Sequence, residues 1–366
     1  MAFKDKLGNI SLKFKKNSAA PTLAANDASL LKRFARKWQE NPLYSTTLVL
    51  VIMIIVQTIA LGFDYPSFGA WFSSWGKNWI NILRNNASVG IVALGMTFVI
   101  ISGGIDLAVG STLVAVGAVM ITMINSNTTG VLTSAGITGV PAFIIGIAAA
   151  LLMGSLIGSV NGFLVARGRI PAFIVTLGTM KICRSVTQNF MQTAGARVPR
   201  EFRAITNTTI GGEIILPIIY WLVIAALLML IAKKTPFGRH VYAIGSNERA
   251  ARLSGINVER VKTLVYVLSG MLVAVATVIN VGRIGSMDYA SAGSGYEMDA
   301  IAAVVVGGTS MSGGKGAILG TVLGMLIIAV MDNLLNLVHV TPFLREAFKG
   351  FIVIAAVLLQ KKEKAA

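Results

Sequence analysis

The chain has 366 residues, of which 55% are hydrophobic and 13% are charged, and its formal net charge is +17. A soluble domain could bury so much apolar side chain only by leaving much of it exposed, so the composition argues against a soluble protein and for a membrane protein. The single cysteine, Cys183, excludes an intrachain disulfide and leaves the redox compartment open.

Residues 1–44 form a basic segment that we predict to be a cytoplasmic tail. Within it, residues 30–39 (LLKRFARKWQ) place leucines and aromatic residues on one helical face, with lysines and arginines around the rest. This pattern predicts an amphipathic helix on the anionic inner membrane surface; the alternative is a disordered basic tail. No signal peptide is expected, because the polar segment precedes the first apolar run.

Apolar runs close to twenty residues then predict transmembrane helices. The clearest, residues 46–63, would extend roughly 27 Å as a helix, close to the thickness of the hydrocarbon layer. Similar runs follow at about 86–102, 106–125, 141–165, 171–191, 214–232, 263–282, 297–312, 316–334 and 343–360. The predicted fold is therefore an all-α integral membrane protein: residues 45–360 form a domain of about ten spans, and residues 361–366 form a cytoplasmic tail.

The basic residues are distributed unevenly along this topology. If the N-terminus is cytoplasmic, the inner segments hold 22 of the 32 lysines and arginines, and the outer loops hold six. The inner segments are 1–44, 167–170, 233–262, 313–315 and 361–366. Since cytoplasmic loops of membrane proteins are rich in Lys and Arg, we interpret the positive charge as topology, with both termini cytoplasmic, and not as nucleic-acid binding.

Glycines recur every four residues on the predicted fourth and ninth spans, and this spacing indicates close helix packing. They are Gly154, Gly158, Gly162, Gly316, Gly320 and Gly324. Pro171 opens the fifth span, Pro342 precedes the tenth, and the ends of the second and seventh spans share a weak similarity. These similarities predict an inverted repeat of five plus five spans, as is common in transporters.

Two glycine-rich turns separate apolar spans almost without a linker: ISGGIDLAVGS at 101–111 and VVVGGTSMSGGKG at 304–316. Both predict broken or re-entrant helices, which occur at membrane depth only beside protein or a water-filled cavity. They either border a solute pathway or are tight hairpins. The candidate pathway residues in them are Gly103, Gly104, Asp106, Gly307, Gly308 and Thr309. The second turn lacks the order of a phosphate-binding loop.

Charged residues inside the predicted spans are few. Lys181 and Arg184, three residues apart on the fifth span, share a helix face and are expected to face a polar interior or pathway, although Arg184 could extend to an interface. At the outer start of the tenth span, local pairing is the simplest expectation for Arg345, Glu346 and Lys349. No series of buried acids or histidines indicates a proton relay, whereas sodium coupling stays open.

Catalytic or metal-binding chemistry finds little support. Neither of the two histidines, His240 and His339, has a second His or Cys at metal-ligand spacing. The serines have no evident base partner, and no nucleotide-binding motif is present. We therefore expect a chain that binds no metal or cofactor and does not itself hydrolyse ATP, and a membrane enzyme is disfavoured.

The inner segment 233–262 contains a compact polar region whose charges follow helical spacing. In SNERAARLSG, Ser246 or Asn247 can cap a short helix and Gly255 can end it. So short a helix is marginal alone, so we expect it to dock on a partner; the alternative is a surface helix that only links two spans. The candidate coupling residues are Gly245, Ser246, Asn247, Glu248, Arg249, Ala250, Ala251, Arg252, Leu253, Ser254 and Gly255.

The segment TPFGRHVYAIGSNERAARLSGINVERVK resembles the cytoplasmic coupling region of the permease subunits of bacterial sugar ABC importers, the ribose, xylose and galactoside group. ALGMTFVIISGGIDLAVGS, NGFLVARGRIPAFIVTLGTM and GYEMDAIAAVVVGGTSMSGGKGAILGT occur in that family's order. The resemblance covers roughly residues 80–360, and ribose permeases are the most similar group.

The resemblance implies a sugar permease of the bacterial cytoplasmic membrane that works by alternating access. Two copies, surrounded by lipid, would bind two ATPase subunits, which carry ATP and Mg, and an extracytoplasmic sugar-binding protein. Helix 247–254 would sit in a cleft of the ATPase. The pathway could lie at the dimer axis or within each subunit.

Individual positions also compare with the family. Asp106 matches the acidic residue of its GIDLSVG turn, in which Ala108 replaces the usual serine. Arg184 and Lys349 lie where relatives carry basic residues, whereas Lys181 does not fit the pattern. The alternative function is a stand-alone ion-coupled carrier with inverted repeats, which leaves the short polar helix without a task.

Overall fold

The structure is a computed structural model that describes residues 42–125, 130–191 and 197–363. These ranges are α-helical and contain only two isolated β-bridges besides helices and turns. The predicted amphipathic helix at 30–39 lies outside the described residues.

The first half of the chain forms six helices: α1 Pro42–Ala60, α2 Phe68–Ile101, α3 Val109–Ile124, α4 Val131–Ser134, α5 Gly139–Ala166 and α6 Ala172–Met191. The second half begins with a 3₁₀ turn, Arg200–Arg203. It continues with α7 Ala204–Asn207, α8 Leu216–Lys234, α9 Pro236–Ser246, α10 Glu248–Leu253, α11 Val258–Ile284, α12 Tyr296–Val306, α13 Ile318–Leu337 and α14 Pro342–Glu363.

Six helices are long and apolar enough to cross a membrane: α1, α2, α5, α8, α11 and α13. The predicted count of ten spans and the repeat of five plus five are therefore not confirmed. The other four predicted spans correspond to α3 and α12, which have only 16 and 11 residues, and to α6 and α14, which carry polar or charged side chains. α12 ends at Val306 instead of 312, because two glycines follow and Gly308 has a φ of +87°.

The core is centred on α2 and α11, which pack against each other. α2 begins at Phe68, far before the predicted 86, and its second half is buried without interruption from Ala87 to Ile101. α11 also packs along α5, where a side chain on Gly154 would overlap the carbonyl oxygen of Gly270. One and two turns further along α5, Gly158 and Gly162 lie against the backbone of α11 in the same way.

The second glycine series brings α12 and α13 together. The backbones of Gly307 and Gly320 touch, and Gly324 lies against the carbonyl oxygen of Ala303. Gly316 lies beside the side chain of Thr309. Because none of these glycines leaves room for a Cβ atom, both series hold helices at backbone distance.

Candidate coupling site and translocation elements

The short polar helix α10 forms as its sequence predicts. The side-chain oxygen of Asn247 accepts a hydrogen bond of 3.0 Å from the amide of Ala250, which caps the first turn. Ser246, the other candidate cap, instead donates to the carbonyl oxygen of Tyr242. The helix ends before Gly255, whose φ of +83° suits the left-handed conformation that terminates helices.

α10 presents most of its surface to solvent. Only Ala251 is buried, whereas Leu253 is 90% exposed. Arg249 is exposed and forms no ion pair with any residue that the structure describes. Arg249 and Leu253 are four residues apart, so they lie on the same exposed face of α10.

Ion pairs attach the other side of α10 to the start of α11. Lys262 donates to the Glu248 carboxylate at 2.6 Å, and Arg252 donates to that of Glu259 at 2.5 Å. Arg252 also lies 3.5 Å from Glu248, so the four side chains form one network. The hydrogen bond from Lys262 holds the pKa of Glu248 below its usual range. These ion pairs therefore link α10 to the first turns of α11.

Gly245, the first of the candidate coupling residues, lies near the end of α9 and contacts both glycine-rich turns. Its Cα lies so close to the carbonyl oxygen of Ile101 and the amide of Gly314 that neither leaves space for a Cβ atom. The Gly314 amide donates to the Ile101 carbonyl oxygen at 2.9 Å, and the Tyr242 hydroxyl donates to that of Gly316 at 2.9 Å. The structure thus places the two turns, which are far apart in sequence, together beside the coupling residues.

In the first turn, Asp106 is buried and holds the α2–α3 break against α11. Its carboxylate accepts hydrogen bonds from the Ala108 amide at 3.0 Å and the Ser269 hydroxyl at 3.2 Å. Gly103 has a φ of +83°, and Gly104 lies against the Tyr266 hydroxyl. These contacts fix the break between α2 and α3 against α11.

In the second turn, Gly307 and Thr309 are buried and Gly308 is half-buried. Gly307 contacts Gly320 of α13, and Thr309 contacts Gly316, two residues before α13. The described pathway candidates of this turn therefore lie in a helix–helix contact beside the coupling site.

Lys181 and Arg184, which the sequence places on one helix face, have different surroundings. Arg184 points to the segment between α11 and α12, where its guanidinium donates to the carbonyl oxygens of Ala292 at 2.8 Å, Ala290 at 3.4 Å and Tyr289 at 3.5 Å. The same segment reaches the start of α3, where Gly293 and Gly110 touch through their backbones. Lys181 is exposed and has no hydrogen-bond or ion-pair partner among the described residues.

α6 carries an exposed polar stripe that the sequence reasoning missed. The polar stripe consists of Gly178, Lys181, Ser185 and Asn189, which are all exposed. Its residues are spaced three or four apart, a helical period that was readable from the sequence. An apolar flank of Ile182, Val186 and Phe190 is exposed next to it.

α6 runs antiparallel to α5. Thr179 donates to the side chain of Asn161 at 2.6 Å, and one turn further Cys183 packs with Ile157. α5 is one of the six helices long and apolar enough to cross a membrane, so α6 lies beside such a helix.

Lys349 joins three helices through ion pairs, a cluster of which the sequence predicted only the local part. Its ammonium lies 3.1 Å from Asp299 of α12, 3.2 Å from Asp332 of α13 and 3.1 Å from Glu346 of α14. The pair with Glu346 is the expected local one. The two aspartates are distant in sequence, so no local spacing could have indicated them.

A cavity of about 560 Å³ lies between α3, α5 and α6. Its lining is almost entirely apolar and includes Met153, Ile157 and the apolar flank of α6. Such a lining suits hydrocarbon and offers few partners for hydroxyl groups. Within the described residues, no group of three His, Cys, Asp or Glu side chains could hold a metal ion.

Residues 78–357 match a family described as branched-chain amino acid transport system / permease component. The chain belongs to this permease family. The match includes every candidate site residue given above and excludes the N-terminal tail. With six apolar helices, the permease is a multi-pass membrane protein.

The permease is also similar to curated proteins over most of its length. It is 41% identical over 287 residues to the ribose import permease protein RbsC of Haemophilus influenzae, covering 77% of this chain and 84% of the relative. RbsC of Escherichia coli K12 is 40% identical over 325 residues, covering 86% and 92%. The xylose transport system permease protein XylH of the same strain is 35% identical over 365 residues, covering 86% and 92%. No solved structure matches.

Proposed function

We propose that the permease is the membrane subunit of an ATP-driven ABC importer that moves a sugar across the bacterial cytoplasmic membrane. The first candidates are pentoses such as ribose, followed by hexoses and galactosides. The observation that carries the proposal is α10, an exposed helix with a leucine anchor that ion pairs attach to the membrane core. The names of the relatives, ribose import and xylose transport permeases, support the substrate class.

In this function the permease is a transport subunit and not an enzyme. A separate ATPase binds ATP and Mg, and closure of two ATPase subunits moves α10. The ion pairs from Glu248 and Arg252 pass this displacement to α11. The contacts of Gly245 pass it to the α2–α3 and α12–α13 turns, and alternating access follows from their movement.

The packing of the helices supports ten crossings built from two inverted halves. α2 packs on α12 and α13, and correspondingly α11 packs on α3 and α5. α3 packs on α5 and α6, as α12 packs on α13 and α14. α1 and α8 break the correspondence, since α1 packs on α13 while α8 packs mainly on α2. Two short helices with adjoining turns, α3 and α12, fit the broken helices common in such transporters.

The distribution of Lys and Arg supports a cytoplasmic location for both termini and for α10. The opposite side would receive an extracytoplasmic sugar-binding protein. We further propose a homodimer in lipid, in which the polar stripe of α6 borders the solute pathway. A row of hydroxyl, amide and ammonium groups is costly against lipid but suits water and sugar hydroxyls.

The test is reconstitution of the permease with its ATPase and sugar-binding protein in liposomes. Leu253→Ser combined with Arg249→Ala should release the ATPase and reduce ATP-dependent sugar uptake at least tenfold. Arg239→Ala, which removes another exposed charge from the same inner segment, is the matched control and should leave both unchanged. Uptake by the double variant at the wild-type rate would refute the coupling role, and uptake by the permease alone without ATP would support the ion-coupled carrier instead.

A further inference from the structure

The starting point is an exposed cation on a helix inside the membrane domain. Lys181 follows the first residue of α6 by nine positions, which is about 14 Å along the helix axis. It lies close to Thr179, whose hydroxyl bonds to Asn161 of the membrane-spanning α5. A lysine ammonium that faces hydrocarbon is strongly unfavourable, so the exposure of Lys181 on this helix favours an aqueous or polar surrounding.

The surroundings of Lys181 support this conclusion. Its neighbours along the polar stripe are Gly178 and Ser185, both exposed. The apolar flank of the same helix, including Ile182 and Val186, lines the apolar cavity. α6 therefore has one side suited to lipid and another suited to water, and Lys181 is on the second.

The positive charge of Lys181 is not balanced locally. Arg184, one turn away, interacts electrostatically with the carboxylates of Glu297 and Asp288, which offset its charge. Lys181 has no carboxylate partner among the described residues, and the polar stripe itself contains no acid. Among the residues of the polar stripe, Lys181 alone is charged, so the potential at the stripe beside its ammonium is positive.

We propose that Lys181 is a charge filter that keeps the solute pathway at positive potential. It would exclude inorganic cations and protonated amines while admitting neutral polyhydroxylated solutes and anions. An importer whose pathway fills with water needs such a barrier, because a leak of sodium would dissipate the membrane potential. The inference rests on the proposed function, and it adds a class of excluded solutes that the binding protein does not determine.

The test uses single cysteines in the reconstituted complex. After Cys183→Ser, either Ser185→Cys on the polar stripe or Val186→Cys on the apolar flank is introduced. Each is labelled with an anionic and a cationic methanethiosulfonate of similar size, and rates are normalised to a free thiol. Ser185→Cys should react at least tenfold faster than Val186→Cys. Adding Lys181→Met should lower the anionic-to-cationic rate ratio at Ser185→Cys by about tenfold, whereas Lys181→Arg should preserve it.

The outcomes separate the two proposals. If Ser185→Cys reacts no faster than Val186→Cys, the polar stripe does not face water. That result would refute both the proposal that the stripe borders the solute pathway and the proposal that Lys181 is a charge filter. If Ser185→Cys reacts faster but Lys181→Met leaves the ratio unchanged, the filter alone is overturned. Lys77→Met, which removes an exposed lysine from α2, is the control and should leave the ratio unchanged.

A second measurement does not depend on introduced cysteines. Proteoliposomes of the Lys181→Met complex should show a faster ATP- and sugar-dependent sodium leak than those of wild type or Lys181→Arg. Equal leaks in all three would contradict the filter.

Discussion

The backbone amide of Gly314 donates a hydrogen bond of 2.9 Å to the carbonyl oxygen of Ile101. In the sequence, most of the membrane domain lies between these two residues. The contact joins the turn after α12 to the end of α2. Gly245, three residues before the first residue of α10, lies against the same two groups. Backbone contacts therefore connect the segment before α10 to both turns.

Gly245→Ala should uncouple this junction. The new methyl group would overlap the carbonyl oxygen of Ile101, so the backbones must separate, at a cost of about 1–3 kcal/mol in folding free energy. We expect a lower melting temperature and a loss of ATP-dependent sugar uptake of tenfold or more. Gly76→Ala, a helical site on α2 with no atom near the added carbon, is the control. Equal behaviour of the two variants would refute the tight junction.

Lys262→Met should weaken the attachment of α10 to α11. An exposed ion pair contributes roughly 0.2–1 kcal/mol, so coupling should fall by up to about fivefold. The measured quantity is the amount of sugar transported per ATP hydrolysed. The ATPase should stay bound, because the variant retains Leu253. The neighbouring Arg260 forms no ion pair in the described structure, so Arg260→Met should keep the ratio of wild type. A wild-type ratio in Lys262→Met would show that the pair carries no coupling.

Protonation of Glu248 at low pH should weaken the attachment of α10 to α11. Because Lys262 lowers the pKa of this carboxylate in the folded state, its stabilising contribution is complete above the unfolded value of about 4.3 and is lost as the pH falls through the folded pKa. Hydrogen exchange of α10, corrected for intrinsic rates, should be constant from about pH 8 to 5 and rise below about pH 4. Glu248→Gln should reduce the step, and a second change, Glu259→Gln, should remove it, because Arg252 of α10 also lowers the pKa of Glu259. A step near pH 6 would assign the transition to another group.

Lys349→Met should destabilise the outer half of α12, α13 and α14. The change leaves Asp299, Asp332 and Glu346 close together without a cation, and breaking such a buried pair costs roughly 3–5 kcal/mol. Thermal unfolding in detergent measures the loss. Lys349→Arg should recover most of it, and a second change, Asp299→Asn, should recover part. Arg345→Met, whose side chain bonds only to a carbonyl oxygen nearby, should cost less than 1 kcal/mol; a similar loss would refute the cluster.

The sequence predicted features that depend on neighbouring residues. A cap at Ser246 or Asn247, the end of α10 at Gly255 and the break after Ile101 all follow from local backbone preferences, and the structure selects Asn247 as the cap. Apolar runs located the membrane helices, although α2 extends far beyond its run, because its first turns combine apolar and polar residues that hydropathy alone does not assign.

Features that need distant residues could not be read in this way. The carbonyl partners of Arg184 lie about a hundred residues away in the sequence. Two carboxylate partners of Lys349, Asp299 and Asp332, come from two other helices. Charge patterns along the chain indicate which side chains are costly to bury, but not which groups compensate them. The polar stripe of α6 is the exception, since its period was visible and only its exposure was not.

The contact of Gly154 with Gly270 limits how this protein can change. In most cores a larger side chain on one helix can be offset by a smaller one on the other. Here both residues already lack a side chain, so no substitution across the contact can compensate for an added methyl group at either. A substitution at one of these two positions therefore cannot be rescued by a substitution at the other. An engineered variant that needs a larger side chain on α5 must place it on the opposite face of the helix.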